Sequence, residues 1–364
     1  MTSKDVANRW LFPDLREHVL RRPEANGEGN TFKTPSMRDG GISWETERKL
    51  RFTTCAFVED LAQVLEMPSA PAVTAQLYVQ RFYMMHSFSQ HDRFLVATAA
   101  VFLAGKMEEF PIKVRLVTEC SLFLLNCKPE QPREQIRAKP ASKKRKPSLG
   151  HTGDGKPGDG PTGSSLSNNP EAAHVKHLDC LNALLEVIDV GVVESTSAKV
   201  LLMERILLQT IAFDLALPEP FSYVAPAMHK VFTLEAMHFN VTHSGIRATA
   251  FLFLADAVKS TLTMAFNANE LAIGAVYLAC LHLNQVSRNV ATAQNEPWWS
   301  VWGLSAADLE DVARALLWMY EDEQGVKKPN LSDGLRELWD RYRPDQNMPD
   351  LEFIKKLDAN LIAE

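Results

Sequence analysis

The sequence predicts an all-α protein built from two similar helical domains in tandem. Along most of the chain, segments with apolar residues at helical spacing follow one another, and residues typical of helix N-termini precede many of them. A short apolar string in the first half recurs in the second half, within runs that are apolar on nearly every helical side. Strand hairpins are not indicated, because no Asn-Gly or Asp-Gly pair lies between alternating apolar runs. The three observations together indicate helices packed on helices.

The helices of the first half begin at recognisable caps. Ser43 is a suitable N-cap because Glu45 and Glu47 follow it in the first turn. Ser89, with Asp92 three residues later, is a capping-box signature that opens a third helix. We predict helices at about 43–65 and 69–86, from Ser89 onward, at 113–126, and at 197–213.

The second half repeats this design. Asn267 with Glu270, and Ser305 with Asp308, supply further caps. Between them lies a loop that contains Trp298, Trp299 and Trp302, which we expect to pack beneath the loop as core. We predict helices at about 221–234, 245–265, 268–285, 305–321 and 331–341.

A basic segment rich in Pro, Gly and Ser interrupts the first domain at about 128–176, and its composition predicts a disordered insertion. It contains Lys143, Lys144, Arg145 and Lys146, which indicate either a nuclear localisation signal or a nucleic-acid patch, unless they are only a solvated basic run. A short apolar helix at 178–190 comes after it. We divide the chain into a tail with a lead-in segment at 1–42, a first domain at 43–217, a second domain at 218–345 and a short tail at 346–364.

The recurring string is Ala-Val-Phe-Leu-Ala at 100–104 and Ala-Val-Tyr-Leu-Ala at 275–279. The two copies have different endings. The first copy ends in Gly105-Lys106-Met107-Glu108-Glu109, whereas the second continues as Cys280-Leu281-His282-Leu283. Since packing alone does not require the charged ending in one copy, we infer that the first domain carries a contact site.

The composition of the chain argues against several classes of function. The net charge of −6 argues against a surface built throughout for nucleic acid. The five cysteines form no C-x-x-C pair, so neither a zinc site nor a disulfide framework is indicated. No signal peptide is recognisable at the N-terminus, and the longest apolar stretch, 94–105, is too short to span a bilayer. We therefore expect no membrane partner, metal or cofactor.

Two segments resemble the first cyclin box, and a third resembles its fifth helix; these are 81–88 (Arg-Phe-Tyr-Met-Met-His-Ser-Phe), 102–109 (Phe-Leu-Ala-Gly-Lys-Met-Glu-Glu) and 202–215. The Trp10 segment and Thr34-Pro35-Ser36 are similar to the lead-in of transcriptional cyclins, with cyclin K nearest and cyclin T next. The resemblance implies two tandem five-helix cyclin boxes. It also implies a non-catalytic subunit that activates a cyclin-dependent kinase acting on the RNA polymerase II C-terminal domain, and hence a nuclear protein.

The resemblance also implies a kinase-binding surface. Lys106 would bind backbone carbonyl groups near the C-helix of the kinase, and Glu204 would bind backbone amides there. Glu109 would either contact the kinase or pair locally. The apolar groove for the kinase helix would be walled by Leu103, Met107, Leu208, Phe213 and Leu215.

One position departs from the cell-cycle cyclins, which carry Asp before the Arg-Phe of the second helix. Here Gln80 stands there, so Arg51 lacks that carboxylate, as in transcriptional cyclins. One alternative is a two-repeat factor resembling transcription factor IIB, but the zinc ribbon and basic repeats of that class are not recognisable. A helical enzyme is the other, and no phosphate loop, H-E-x-x-H or nucleophile elbow appears. We expect no sequence-specific nucleic-acid binding.

Overall fold

The computed structural model describes residues 9–20, 32–126, 189–231, 241–283 and 298–319. Every regular element in these ranges is helical, which confirms the all-α fold class. The predicted insertion at 128–176, nearly all of the predicted helix at 178–190, and the predicted helix at 331–341 lie outside the described residues.

Two short helices precede the first domain, α1 (Pro13–Leu20) and α2 (Pro35–Arg38). The chain around α1 lies against both domains. Phe12 N donates a hydrogen bond to Met264 O in the second domain at 2.9 Å. Trp10 is buried against the first domain, where its indole nitrogen bonds Asp214.

Five helices make up the first domain: α3 (Trp44–Val64), α4 (Ser69–Met85), α5 (Arg93–Met107), α6 (Val114–Asn126) and α7 (Val190–Thr210). Helix α5 contacts the other four, and its residues 96–105 are all buried. The predicted start of α3 is confirmed, because the Ser43 side chain accepts a hydrogen bond from Thr46 N. Helix α7 begins earlier than the predicted residue 197, because Asp189 caps it by accepting from Gly191 N at 2.9 Å.

The predicted start of α5 is wrong by three residues. Its N-cap is Asp92, whose Oδ1 accepts from Phe94 N and Leu95 N at 2.9 and 2.8 Å. Ser89 lies in the preceding turn, where its hydroxyl bonds Ser87 Oγ at 2.8 Å. Ser89 and Asp92 are both favourable N-cap residues, and it is the Asp92 carboxylate that caps α5.

The second domain contains a 3₁₀ turn at Pro220–Tyr223, then α8 (Val224–Val231), α9 (Val241–Val258), α10 (Leu262–Ala265), α11 (Ala268–His282), a 3₁₀ turn at Trp298–Trp302, and α12 (Ala306–Trp318). The capping boxes at Asn267 and Ser305 are confirmed. The helix predicted at 245–265 is two helices instead. Ser260 separates them, since its hydroxyl donates to Ala257 O at 2.7 Å and accepts from Leu262 N at 3.2 Å.

The repeated strings at 100–104 and 275–279 occupy equivalent places, one at the centre of each domain. Helix α11 contacts α8, α9 and α12, as α5 contacts its own neighbours. Gly274 makes the close approach of α12 feasible, because a Cβ atom there would lie 2.4 Å from Val312 Cγ1. Trp298 and Trp299 are buried beside α11, which agrees with the expectation that they belong to the core.

The two domains contact each other directly. Lys259 Nζ lies 2.9 Å from Glu59 Oε2, and Gln80 Nε2 donates to Val258 O at 3.4 Å. Arg16 of α1 adds ion pairs to Glu270 and Asp308 in the second domain. The lead-in segment therefore contacts both domains and helps to hold them together.

Arg51 is fully buried and is satisfied without an Asp at position 80. Its Nη1 donates to Gln80 Oε1 at 2.9 Å, and its Nε donates to Glu47 Oε1 at 2.8 Å. The counter-charge therefore comes from one turn earlier on α3. Glu47 also accepts a hydrogen bond from the Thr34 hydroxyl, which ties the lead-in segment to this buried pair.

Candidate functional site

Lys106 and Glu204, which are 98 residues apart in sequence, form an ion pair in the structure. The distance between Lys106 Nζ and Glu204 Oε1 is 2.7 Å. Helix α5 presents Lys106 in its last turn, and α7 presents Glu204 from its buried middle. The ammonium also lies over the ring of Phe102, 4.0 Å from the centroid. The fold thus brings together the two polar residues singled out by the resemblance.

The two members of this pair differ in exposure. The Lys106 side chain is 44% exposed, and that of Glu204 is 11% exposed. Exposed ion pairs contribute about 0–1 kcal/mol to stability. A lysine ammonium has three donors, and a carboxylate can accept several hydrogen bonds. Both side chains can therefore form further hydrogen bonds with a binding partner while they remain paired.

A sharp turn after α5 sets the direction of Lys106. Phe110 N donates to Gly105 O at 2.8 Å, which folds the chain back beneath the helix end. A Cβ atom at position 105 would lie 2.7 Å from Phe110 O, so glycine is required there. Glu109 adopts a left-handed φ of 55°, and its exposed side chain has no hydrogen bond or ion pair with the described residues. It therefore does not pair locally within that part of the chain.

The end of α7 forms the second edge of the site. Ala212 and Phe213 have positive φ angles of 52° and 57°, and Phe213 N bonds Leu208 O at 3.0 Å. The turn leaves the Phe213 side chain 65% exposed. A large aromatic held outward in a left-handed conformation is unusual for a purely structural residue.

The remaining apolar residues of the predicted groove differ in accessibility. Met107 is 40% exposed, and Leu208 and Leu215 are half-buried. Leu103 belongs to the core and is only 3% exposed, because α5 is enclosed on this side as well. Of the residues predicted to wall the groove, Met107 and Phe213 are therefore the most exposed.

A buried cluster behind Phe213 holds its turn in place. Arg81 Nη1 donates to Asp214 O at 3.0 Å, and Trp10 Nε1 donates to Asp214 Oδ2 at 3.0 Å. Tyr78 donates its hydroxyl hydrogen to Leu215 O at 3.2 Å. Sequence reasoning did not assign this role to these side chains, although Arg81 and Asp214 both fall within the segments that carry the cyclin resemblance. The cluster makes the exposed edge of the site depend on the lead-in segment.

Other kinds of site are less well supported. Within the described ranges, no three His, Cys, Asp or Glu side chains gather as a metal site would require. None of the helices in these ranges combines the length and the apolar character that crossing a bilayer requires. The basic residues Lys143, Lys144, Arg145 and Lys146 lie outside the described residues.

Comparison with known proteins agrees with this fold. The family described as cyclin, N-terminal domain, matches residues 28–136. The structure of the yeast RNA polymerase II C-terminal-domain kinase complex CTDK-1 contains a chain of similar fold. The TM-score is 0.54 at 14% identity, over 98% of this chain and 89% of that chain. The family match covers part of the first domain, and the structural likeness concerns the fold.

Residues 28–136 thus match the cyclin family, and the curated proteins similar to the chain include transcriptional cyclins. Cyclin-T1-3 of Oryza sativa subsp. japonica is 24% identical over 295 residues, which cover 81% of this chain and 47% of the relative. Cyclin-T1-5 of Arabidopsis thaliana is 25% identical over 291 residues, which cover 80% and 39%. Cyclin-L1-1 of Arabidopsis thaliana is 25% identical over 287 residues, which cover 79% and 53%. The chain thus spans about half, or less, of the length of these curated relatives.

Proposed function

We propose that this protein is the activating subunit of a cyclin-dependent kinase, and that it acts by docking the C-helix of that kinase. The observation that carries the proposal is the Lys106–Glu204 pair. The exposed Met107 follows Lys106 in the chain, and the exposed Phe213 lies just beyond the end of the helix that carries Glu204. A polar anchor with flanking apolar surface is the arrangement that helix-in-groove recognition uses. The match of residues 28–136 to the cyclin N-terminal domain favours this function over that of a factor resembling transcription factor IIB.

The mechanism depends on which groups are available. The Lys106 ammonium donates to carbonyl groups of the kinase, and Glu204 accepts from its backbone amides. Met107, Phe213 and the exposed parts of Leu208 and Leu215 contact the apolar side of the kinase helix. Glu109 lies close to Lys106 in the chain, with its side chain available for the same partner. Binding the active arrangement of the helix more tightly than the inactive one shifts the kinase toward activity, and the cyclin contributes no catalytic group.

The choice of kinase and compartment rests on the resemblance to transcriptional cyclins. We infer a heterodimer with a kinase that phosphorylates the RNA polymerase II C-terminal domain, in the nucleus. The basic run at 143–146 serves in this proposal as the nuclear localisation signal.

A charge exchange tests the proposal without destroying the fold. Lys106→Glu combined with Glu204→Lys keeps an ion pair between the two positions, but it exchanges the donors and acceptors that face the kinase. We expect wild-type protein to recover a cyclin-dependent kinase from nuclear extract, and the exchanged protein to lose it.

The matched control is the exchange of Arg115 with Glu119, a pair on α6 with Nε and Oε1 2.8 Å apart. That protein should retain the kinase. If the kinase is recovered equally by the wild-type chain and the Lys106/Glu204 exchange, this face is not the docking site.

A further inference from the structure

A cavity of about 80 Å³ lies where the lead-in segment, the first domain, the connection between the domains and the second domain meet. Trp10, Arg81, Thr263 and Asn269 are among the residues that line it, and neither Lys106 nor Glu204 does. One buried water needs about 10–15 Å³ of such space. The cavity is therefore large enough for a ligand of several non-hydrogen atoms.

Two polar side chains lining the cavity have unused hydrogen-bonding groups. Arg81 is 4% exposed; its Nη1 donates to Asp214 O, but its Nε has no partner among the described residues. In the same part of the structure, the buried Thr263 Oγ1 also lacks a partner. Buried polar groups without partners are costly, so a ligand that accepts from both would gain free energy.

Arg81 is the one charged residue among the described residues that line the cavity. The Asp214 carboxylate lies 3.6 Å from Arg81 Nη1, and it also accepts from the Trp10 indole. Burial, together with a smaller effect of the positive charge of Arg9, lowers the pKa of Arg81 to about 10, although Asp214 opposes the shift. The first turn of α11, with Ala268 and Asn269 on the cavity wall, adds the positive end of a helix dipole, which the capping carboxylate of Glu270 partly offsets.

We propose that this cavity binds a small oxyanion, phosphate or a short carboxylate, held by Arg81, Thr263 and the first turn of α11. Both unpaired atoms are buried, so binding requires rotation of the Thr263 hydroxyl and a small shift of the guanidinium. Because the groups come from both domains, the bound anion would strengthen the junction between them. This site is separate from the kinase face and does not depend on the proposed function.

The test measures anion binding by the full chain in a buffer free of oxyanions. Phosphate, formate and chloride are titrated separately, and heat of binding and melting temperature are recorded. We expect saturable binding and a raised melting temperature with phosphate or formate, but not with chloride. Thr263→Val should weaken the affinity about tenfold by removing one hydrogen bond to an anion. Arg9→Gln should weaken it about two- to fivefold by removing a nearby charge.

The matched control is Arg38→Gln, which removes another exposed arginine, on α2 and paired with Asp39. Its affinity for the anion should equal that of the wild type. Absence of saturable binding, or equal binding by Thr263→Val, Arg9→Gln and wild type, would overturn the proposal. Kinase recovery by the same proteins is measured separately, so failure of one proposal is distinguished from failure of the other.

Discussion

The indole nitrogen of Trp10 donates a hydrogen bond to Asp214 Oδ2 across 204 residues of sequence. Asp214 directly follows Phe213, the most exposed large apolar residue near the candidate kinase face. The lead-in segment therefore does more than extend the first domain, because it holds the turn that presents Phe213.

Trp10→Phe tests this bond. The change leaves a buried carboxylate oxygen without its donor, which costs about 1–3 kcal/mol beyond the loss of ring volume. The control is Trp299→Phe, since the Trp299 indole is equally buried but its Nε1 has no partner among the described residues. Urea unfolding should show a larger loss for Trp10→Phe. Equal losses would mean that the Trp10 bond contributes nothing of its own.

Glu47→Gln tests the buried pair with Arg51. Both side chains are at most 1% exposed, so neutralising Glu47 leaves a buried guanidinium short of its counter-charge. We expect a loss of about 3–5 kcal/mol in the free energy of unfolding. Glu119→Gln, which breaks a pair whose arginine is 60% exposed, should cost about 0–1 kcal/mol.

A second change tests whether a carboxylate at position 80 can replace the one at position 47 as the counter-charge of Arg51. Gln80→Asp, introduced into the Glu47→Gln protein, restores a carboxylate beside Arg51 from the position that cell-cycle cyclins use. Denaturant unfolding should show partial recovery of stability. Recovery should be incomplete, because Gln80 Nε2 also donates to Val258 O. No recovery would contradict the view that the two positions supply the same charge.

Phe213→Asn should separate binding from stability. Asn tolerates a positive φ better than Phe does, and the side chain is 65% exposed, so the melting temperature should not fall. The affinity for the kinase should fall about tenfold or more, as expected for a central aromatic contact. Calorimetry and a binding titration on the same protein check both parts. A fall in stability with unchanged affinity would assign Phe213 a structural role instead.

Gly105→Ala should disturb the turn that directs Lys106. The added Cβ would lie 2.7 Å from Phe110 O, a backbone atom that cannot move without shifting the turn. We expect lower stability together with weaker kinase binding. Gly191→Ala is the control, because the nearest atom to its Cβ would be 3.5 Å away, and both properties should be retained.

Local signals predicted part of this structure well. The caps at Ser43, Asn267 and Ser305 involve residues within three positions of each other, so a short window contains the whole interaction. The break at Ser260 was missed, because the apolar pattern continues across it and only the hydrogen bonds of the folded turn show where α9 ends.

Some residues of the candidate site could also be predicted from the sequence, and others could not. The cyclin resemblance assigned Lys106 and Glu204 to the same binding surface before the structure was known. The cluster of Trp10, Arg81 and Asp214 could not be predicted, because its members come from segments 133 and 204 residues apart and no local pattern marks their contact. Leu103 belongs to the core because its helix is enclosed on this side as well, in keeping with the apolar character of nearly every side of that helix.

In the proposed function, Lys106 and Glu204 dock a kinase and thereby activate it. The most direct measurement is the rate at which the recovered kinase phosphorylates a peptide from the RNA polymerase II C-terminal domain. It is compared without this protein, with the wild type, and with the Lys106→Glu, Glu204→Lys protein. We predict strong stimulation by the wild type, little by the exchanged protein and no turnover by this protein alone. Equal stimulation by both forms would contradict the claim.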